Sequence, residues 1–121
     1  MIADAIYSTI NPIVPAYPLI GDVDAKMPLA VYGVRYEAVR SKDRIELYNG
    51  TVFVSVITPR HSTTETKSNL VKAAMEALTG QTVNDTIFLS VQWTGIFNIS
   101  FDPDDRAYYS EMEFSIKTKN Q

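Results

Sequence analysis

The sequence predicts an α+β domain, in which an antiparallel sheet of about four strands carries two helices on one face and ends in a long C-terminal β-hairpin. Residues 51–58 are a β-branched run that is typical of a buried strand. Residues 62–79 repeat apolar side chains at helical spacing, and residues 87–101 alternate apolar and polar side chains as a strand does. With a short N-terminal helix, these segments give the order helix, strand, strand, helix, strand, strand.

The composition indicates one domain, residues 1–121, with a core of its own. The chain has 121 residues and is 45% apolar, which argues against intrinsic disorder. Its net charge of −3 argues against a dedicated nucleic-acid binder but leaves room for passing contact with DNA. The lack of cysteine excludes disulfides and Cys-ligated zinc. Residues 1–4 have no basic region and no apolar run approaches ~20 residues, so we expect neither a signal peptide nor a membrane partner.

The N-terminal segment is predicted to be a short helix followed by an irregular wrap. Apolar residues recur at helical spacing across residues 2–10, and Pro12 ends the helix. Residues 11–28 contain four prolines and several apolar side chains. We expect them to run over the domain surface as an anchored, irregular segment.

Residues 29–58 are predicted to hold two strands around a charged loop. The first strand spans residues 29–39, and residues 40–44 form the loop. Beyond it, apolar side chains occupy odd positions before Asn49-Gly50 and even positions after it. Asn-Gly favours a tight hairpin, but a β-bulge also flips the parity. We favour one continuous, bulged edge strand over residues 45–58.

Residues 62–79 carry the clearest helix signal. Ser62 and Glu65 have the spacing of a capping box, in which each side chain accepts the other residue's backbone N–H. Gly80 suits the left-handed position after the helix. The predicted buried stripe consists of Leu70, Val71, Ala74, Met75 and Leu78.

The C-terminal part predicts a long hairpin. In residues 87–101 every odd position is apolar or glycine, which predicts one buried face packed against the helix. At about 3.3 Å per residue such a strand is unusually long, so Gly95 is expected to bend it. Asp102-Pro103-Asp104-Asp105 forms the turn, and residues 108–116 form the return strand.

Three groups of side chains could carry chemistry, and each has a simpler explanation. His61, the only histidine, could be a general base or a metal ligand, but nothing places a nucleophile beside it. The carboxylates of residues 102–105 could bind a hard cation, and Glu111 with Glu113 could form a paired-carboxylate site. A hairpin turn and a polar strand face explain these acids better. We therefore expect no enzyme, no cofactor and no metal site.

Basic and aromatic side chains interleave around the charged loop, a mixture that can bind single-stranded nucleic acid. Glu37, Asp43 and Glu46 dilute the charge, so a solvated loop that could also meet a protein partner is favoured. The interleaved residues are Arg35, Arg40, Lys42, Arg44, Tyr32, Tyr36 and Tyr48.

Strand 51–58 is apolar on both faces. Three valines at even positions lie on one face, and Phe53 and Ile57 lie on the other. A single layer of helices covers only one face of a sheet. The second face needs cover from the proline-rich segment or from another subunit, because exposed apolar area of this kind marks association.

In these features the chain resembles the small tail-completion proteins of long-tailed bacteriophages and prophages, the tail-terminator-like group. The matching segments include Tyr17-Pro18-Leu19, residues 27–32 (MPLAVY), Ser41-Lys42-Asp43 and residues 51–56 (TVFVSV). The resemblance continues through the helix and the C-terminal hairpin and covers nearly the whole chain.

This resemblance implies a structural protein without catalytic residues. Proteins of that family form rings, commonly hexamers, that cap the head-proximal end of the tail tube and join it to the neck. The implied partners are other copies of the chain, the tail-tube protein and the head–tail connector, with passing contact with DNA in the lumen. The implied location is the virion tail, reached after assembly in the host cytoplasm.

Subunit contacts are expected on strand 51–58 and on the loop beside it. Two alternatives stay open: another neck component, such as a stopper or an adaptor, and a small ligand-binding or enzymatic α+β domain. The candidate interface residues are Phe53, Ile57, Arg40, Lys42, Arg44 and Tyr48.

Overall fold

A computed structural model describes residues 2–18, 26–41, 44–95 and 97–120. None of the helices in these ranges is long and apolar enough to cross a bilayer. The helices are α1 (Ile2–Ile10) and α2 (His61–Glu76). The strands are β1 (Ala16–Pro18), β2 (Leu29–Ser41), β3 (Arg44–Thr58), β4 (Thr82–Val83), β5 (Thr86–Trp93), β6 (Asn98–Asp102) and β7 (Ala107–Asn120).

The predicted four-stranded antiparallel sheet is wrong. In the described part of the chain, seven strands form a mixed sheet that curls into a half-barrel, with the order β1-β2-β3-β7-β5-β4 and with β6 also on β7. Strand β1 makes the sheet mixed because it runs parallel to β2, and the Ala30 N–H donates to the Pro15 carbonyl at 2.8 Å. A strand of three residues next to prolines is too short to show an alternating pattern, so the sequence predicts residues 16–18 as part of the irregular wrap.

Both helices pack on one face of the sheet, which we call the helix side. Helix α1 buries Ile6 and Ile10, and α2 buries Val71 and Met75. Against them lie the even-numbered side chains of β2, β3 and β7, because successive residues of a strand point to opposite faces. The strand residues of this core include Ala30, Tyr32, Val52, Val54, Val56, Met112, Phe114 and Ile116.

A β-bulge in β5 makes the predicted odd-numbered core face wrong before Leu89 and leaves it correct beyond, where Val91 is buried and Trp93 and Phe97 pack against the core. Phe88 pairs with Thr118 and Ser90 pairs with Lys117, so Leu89 is an extra residue. One extra residue exchanges the two faces of a strand. Phe88 is therefore completely buried, whereas Leu89 is 41% exposed. The predicted unbroken strand also ends at Trp93, and β6 continues on the same side of β7.

Strand β3 runs through Asn49-Gly50 without a break. The register shift lies nearer the hairpin end, where Val39 pairs with Leu47 and Arg40 pairs with Ile45. Gly50 faces Tyr36, and a Cβ atom at Gly50 would stand 2.7 Å from the Arg35 carbonyl oxygen and 2.9 Å from the Tyr36 Cβ. Glycine is needed here for close approach of the two strands, not for a turn.

The predicted capping box is also wrong. The residue that precedes the helix is Arg60, and it makes no side-chain capping bond. Thr64 instead lies inside, where its hydroxyl contacts that of Thr58 at 2.7 Å and donates to the Tyr108 carbonyl at 3.2 Å. The buried stripe begins with Thr64 and Ser68, and the predicted stripe residue Leu70 is 49% exposed.

Candidate interaction surface

The face of the sheet opposite the helices carries an apolar groove of about 500 Å³, the outer-face groove. Phe53 stands in it with 38% of its surface exposed, although the neighbouring Val52 and Val54 are buried on the helix side. Apolar side chains, two glycines and two carboxylates line the groove. The lining residues include Val31, Gly33, Phe53, Ser55, Gly95, Asn98, Glu111 and Glu113.

The groove lies where β3 and β7 lose their regular pairing. Register pairs run from Val54–Met112 directly to Ile57–Tyr109. Between them, the Val56 N–H donates to the Ser110 hydroxyl at 3.1 Å instead of to a backbone carbonyl. A side chain replaces the ladder bond here, so the interruption leaves no unsatisfied donor at Val56.

Gly95 and Asn98, which lie on either side of the step from β5 to β6, line the groove. The Thr94 N–H donates to the Glu113 carbonyl at 3.0 Å, which extends the pairing by one residue beyond Trp93. Gly95 then lies so close to β7 that a Cβ atom would stand 3.3 Å from the Glu113 Cβ. The sequence predicts a bend at Gly95; in the structure β5 ends at Trp93, and its pairing with β7 ends at Thr94.

The distal half of β2 is a free strand edge in the described part of the chain. Strand β1 pairs only with Ala30, Val31 and Tyr32, and no described strand covers residues 33–41 on that side. Because the Ala30 N–H points towards β1, strand alternation points the N–H and C=O groups of Val34, Tyr36 and Ala38 in the same direction. Tyr36 is 43% exposed on the helix side of this edge.

Strand β6 forms a second free edge. Among described strands it pairs only with β7. The Thr94–Glu113 bond fixes the alternation along β7, so the backbone groups of Ile99 and Phe101 point away from β7. Phe101 is 50% exposed, and its ring lies 5.0 Å from that of Tyr108.

Of the six predicted interface residues, the four whose side chains the structure describes lie on different parts of the sheet. Phe53 and the half-buried Ile57 lie on the outer face, and Arg40 is exposed near the end of β2. Tyr48 lies on the helix side, where it packs at the margin of the core with its ring 5.5 Å from that of Tyr36. Lys42 and the side chain of Arg44 lie outside the described residues.

The three groups considered for catalysis or metal binding lie on different elements: His61 on α2, the aspartates in the turn after β6, and Glu111 with Glu113 in the outer-face groove. His61 is exposed at the start of α2, and its ring packs edge-on against Tyr108 at 5.6 Å. The Asp102 carboxylate accepts the Asp104 N–H at 3.0 Å, as in a turn. Within the described ranges, no cluster of three or more histidines and acids could hold a metal ion.

Among the described members of the interleaved basic and aromatic set, Arg35 lies on the other side of the sheet from Tyr32 and Tyr36. Tyr32 is buried in the core, and burial raises the pKa of its phenol, with smaller contributions from Tyr7 and Asp4. Arg35 points to the outer face, and Tyr36 points to the helix side. A base could stack between Arg35 and the ring of Tyr32 or Tyr36 only if the two side chains lay on one surface, and they do not.

Sequence reasoning missed the two free edges and the buried hydroxyls. Alternation identifies the faces of a strand but not its neighbours, so it cannot identify an edge. The hydroxyls did leave a signal: Thr64, Ser68, Val71 and Met75 recur at helical spacing. Counting threonine and serine as inward-facing residues would have given the correct buried stripe.

Comparison with known proteins adds one result about the fold. No family model matches the chain, and no curated protein matches it in sequence. Twenty-five chains of solved structures do match. One belongs to a structure described as "Virion of native gene transfer agent (GTA) particle", with a TM-score of 0.70 and 11% identity over 95% of this chain and 92% of that chain. The two chains share a fold. At this identity, the likeness concerns the fold alone.

Proposed function

We propose that this protein is a structural component of a virion, and specifically a tail-completion protein. Its ring of copies, six in number, caps the head-proximal end of the tail tube, stops tube polymerisation and joins the tail to the head connector. The observation that carries the proposal is the fold match to a virion chain, which spans 95% of this chain and 92% of the other. The sequence resemblance to tail-terminator-like proteins points to the same kind of particle.

The surface geometry supports a protein that works by association. Phe53 is exposed in an apolar groove, and the edges of the distal half of β2 and of β6 are free in the described residues. Apolar grooves and open edges of this kind are typical of surfaces that another chain covers. In the proposed ring, Phe53 and Ile57 contribute to contacts between subunits from the outer face. The tail-tube protein and the head connector are the other proposed partners.

Removal of the gene tests the proposal directly. Electron microscopy of particles made without the protein should show tails of uncontrolled length that fail to join heads. Particles with the protein should carry a closed ring at the head-proximal tail end. Normal tail length and normal head joining in the absence of the protein would contradict the proposal.

A pair of matched substitutions tests the outer face. Phe53→Asp places a charge in the outer-face groove and should reproduce the long tails of the deletion. Leu70→Asp is the control, because Leu70 is 49% exposed on α2, away from the groove. Both variants should keep the native circular dichroism spectrum, and only Phe53→Asp should lose tail completion. Equal defects would argue against a specific role for the outer face.

A further inference from the structure

We infer that the copies of the ring join by continuing the sheet from one subunit into the next, with the free edge of β2 in one copy pairing antiparallel with the free edge of β6 in its neighbour. This inference rests on the proposed ring. It adds the surfaces that meet, their direction and their register. It also gives a partner to the edges of β2 and β6 that no described strand covers.

The two edges are chemically complementary. On β2, the N–H and C=O groups of Tyr36 and Ala38 point outward, and on β6 those of Ile99 and Phe101 do so. A strand edge with free donors and acceptors is a template for another strand. Neither edge is blocked by a bulge or a proline within these residues.

The exposed aromatic side chains select one register. Tyr36 and Phe101, 43% and 50% exposed, both project to the helix side of their strands. Placing Tyr36 opposite Phe101 brings the two rings together on one face of the continued sheet. Cross-strand aromatic pairs of this kind stabilise sheets. The contact would extend the buried helix side across the junction and remove both rings from water.

The same register also places opposite charges across from each other on the outer face. With Tyr36 opposite Phe101, Arg35 faces Asp102, and Ala38 faces Ile99. Opposite charges directly across a strand pair are favourable, and like charges are not. The edge of β2 contributes a guanidinium, and β6 leads into a turn with three aspartates.

The strand topology determines the relative direction of the two edges that pair. Strands β2, β3, β7 and β6 run antiparallel in succession, so β6 is antiparallel to β2 within one copy. Rotation about a ring axis keeps each strand's direction along that axis, so the pairing between neighbours is also antiparallel. The contact is heterologous, as ring closure requires. Pairing of β2 with a second β2 would close at two copies.

Engineered cysteines test the register, because the chain has none of its own. In the proposed register Glu37 faces Ser100 in a closely spaced pair, within reach of a disulfide. Inside one copy these residues lie on opposite edges, at least three strand spacings or about 14 Å apart. Particles of the Glu37→Cys/Ser100→Cys variant, after oxidation, should give a ladder of linked chains up to the ring size on a non-reducing gel.

The control variant is Glu37→Cys/Leu89→Cys, which should remain monomeric on the same gel. A ring seen at the tail end without any ladder would overturn sheet continuation and leave the proposed function standing. A ladder that stops at two chains would overturn it in favour of a closed pair. The lack of any ring on native tails would overturn both proposals.

Charge exchange provides a second test that does not depend on disulfide formation. Arg35→Asp and Asp102→Arg should each lower the fraction of tails that carry a ring several-fold. The double variant should restore that fraction towards the native value, because the two charges face each other again. A purely structural role for either residue gives no such rescue. Failure of the double variant to recover would overturn the inference.

Discussion

The two faces of strand β3 differ in burial along the eight residues 51–58. On the helix side, Val52, Val54 and Val56 are 0%, 2% and 0% exposed under the helices. On the outer face, Phe53 is 38% exposed in an open groove. The sequence makes both faces apolar, but the described chain covers only one of them.

This contrast separates what one copy needs for folding from what it offers to others. The helix side buries the side chains that stabilise the monomer. The outer face and the free edges of β2 and β6 contribute much less to that core. Substitutions on the two sides should therefore have different consequences, with loss of stability on one side and loss of assembly on the other.

The largest expected effect comes from matched phenylalanines on the two faces. Phe114→Ala should destabilise the monomer by about 3–5 kcal/mol, because Phe114 is fully buried against Trp93. Phe53→Ala should cost about 1–2 kcal/mol, because this side chain keeps part of its surface in water. Urea unfolding of the monomer measures both. Equal losses would mean that the outer face is as well packed as the core.

A smaller effect is expected from the hydroxyls that join α2 to the sheet. Ser110→Ala should cost about 1–3 kcal/mol, because the Val56 N–H and the Ser68 hydroxyl both lose their partner. Ser115→Ala is the control on the same strand, at an exposed position of the outer face, and should change the free energy of unfolding by less than about 0.5 kcal/mol. Similar losses in the two variants would refute a structural role for the buried hydroxyl pair.

The smallest effect is expected at the exposed start of α2. Ser62→Ala should change stability by less than about 0.5 kcal/mol, because Ser62 is an exposed residue inside the helix and does not cap it. A capping serine would instead cost about 1 kcal/mol. Thermal unfolding of the variant distinguishes the two, and a loss of the larger size would favour the capping box over the observed geometry.

The sequence alone predicts the elements in which apolar residues repeat with a strong period. The predicted helices at residues 2–10 and 62–79 are confirmed as α1 and α2, within three residues at each end. Their apolar spacing depends on local geometry alone, so a single sequence carries it. The predicted antiparallel four-stranded sheet failed because neighbours, edges and the short strand β1 depend on contacts between distant residues.

Two local features show why the predicted burial patterns were only partly right. The bulge at Leu89 exchanges the faces of β5, and no residue type marks it beforehand. Thr64 and Ser68 are buried although they are polar, because each hydroxyl finds a partner on β3 or β7. On the candidate surface, the doubly apolar pattern predicts Phe53, whereas Tyr36 and Phe101 are recognised as edge residues only from the strand order.

Amide hydrogen exchange tests the central claim most directly, namely that one copy completes its own core and leaves a strand edge for the next copy. In the dilute free protein, the N–H groups of Val34, Tyr36 and Ala38 should exchange quickly, while those of Gly33 and Arg35 exchange slowly because they bond to β3. In protein exchanged within assembled tails and then dissolved for NMR, the N–H groups of Tyr36 and Ala38 should have become slow. Equal exchange rates for these two amides in the free and assembled protein would contradict the account.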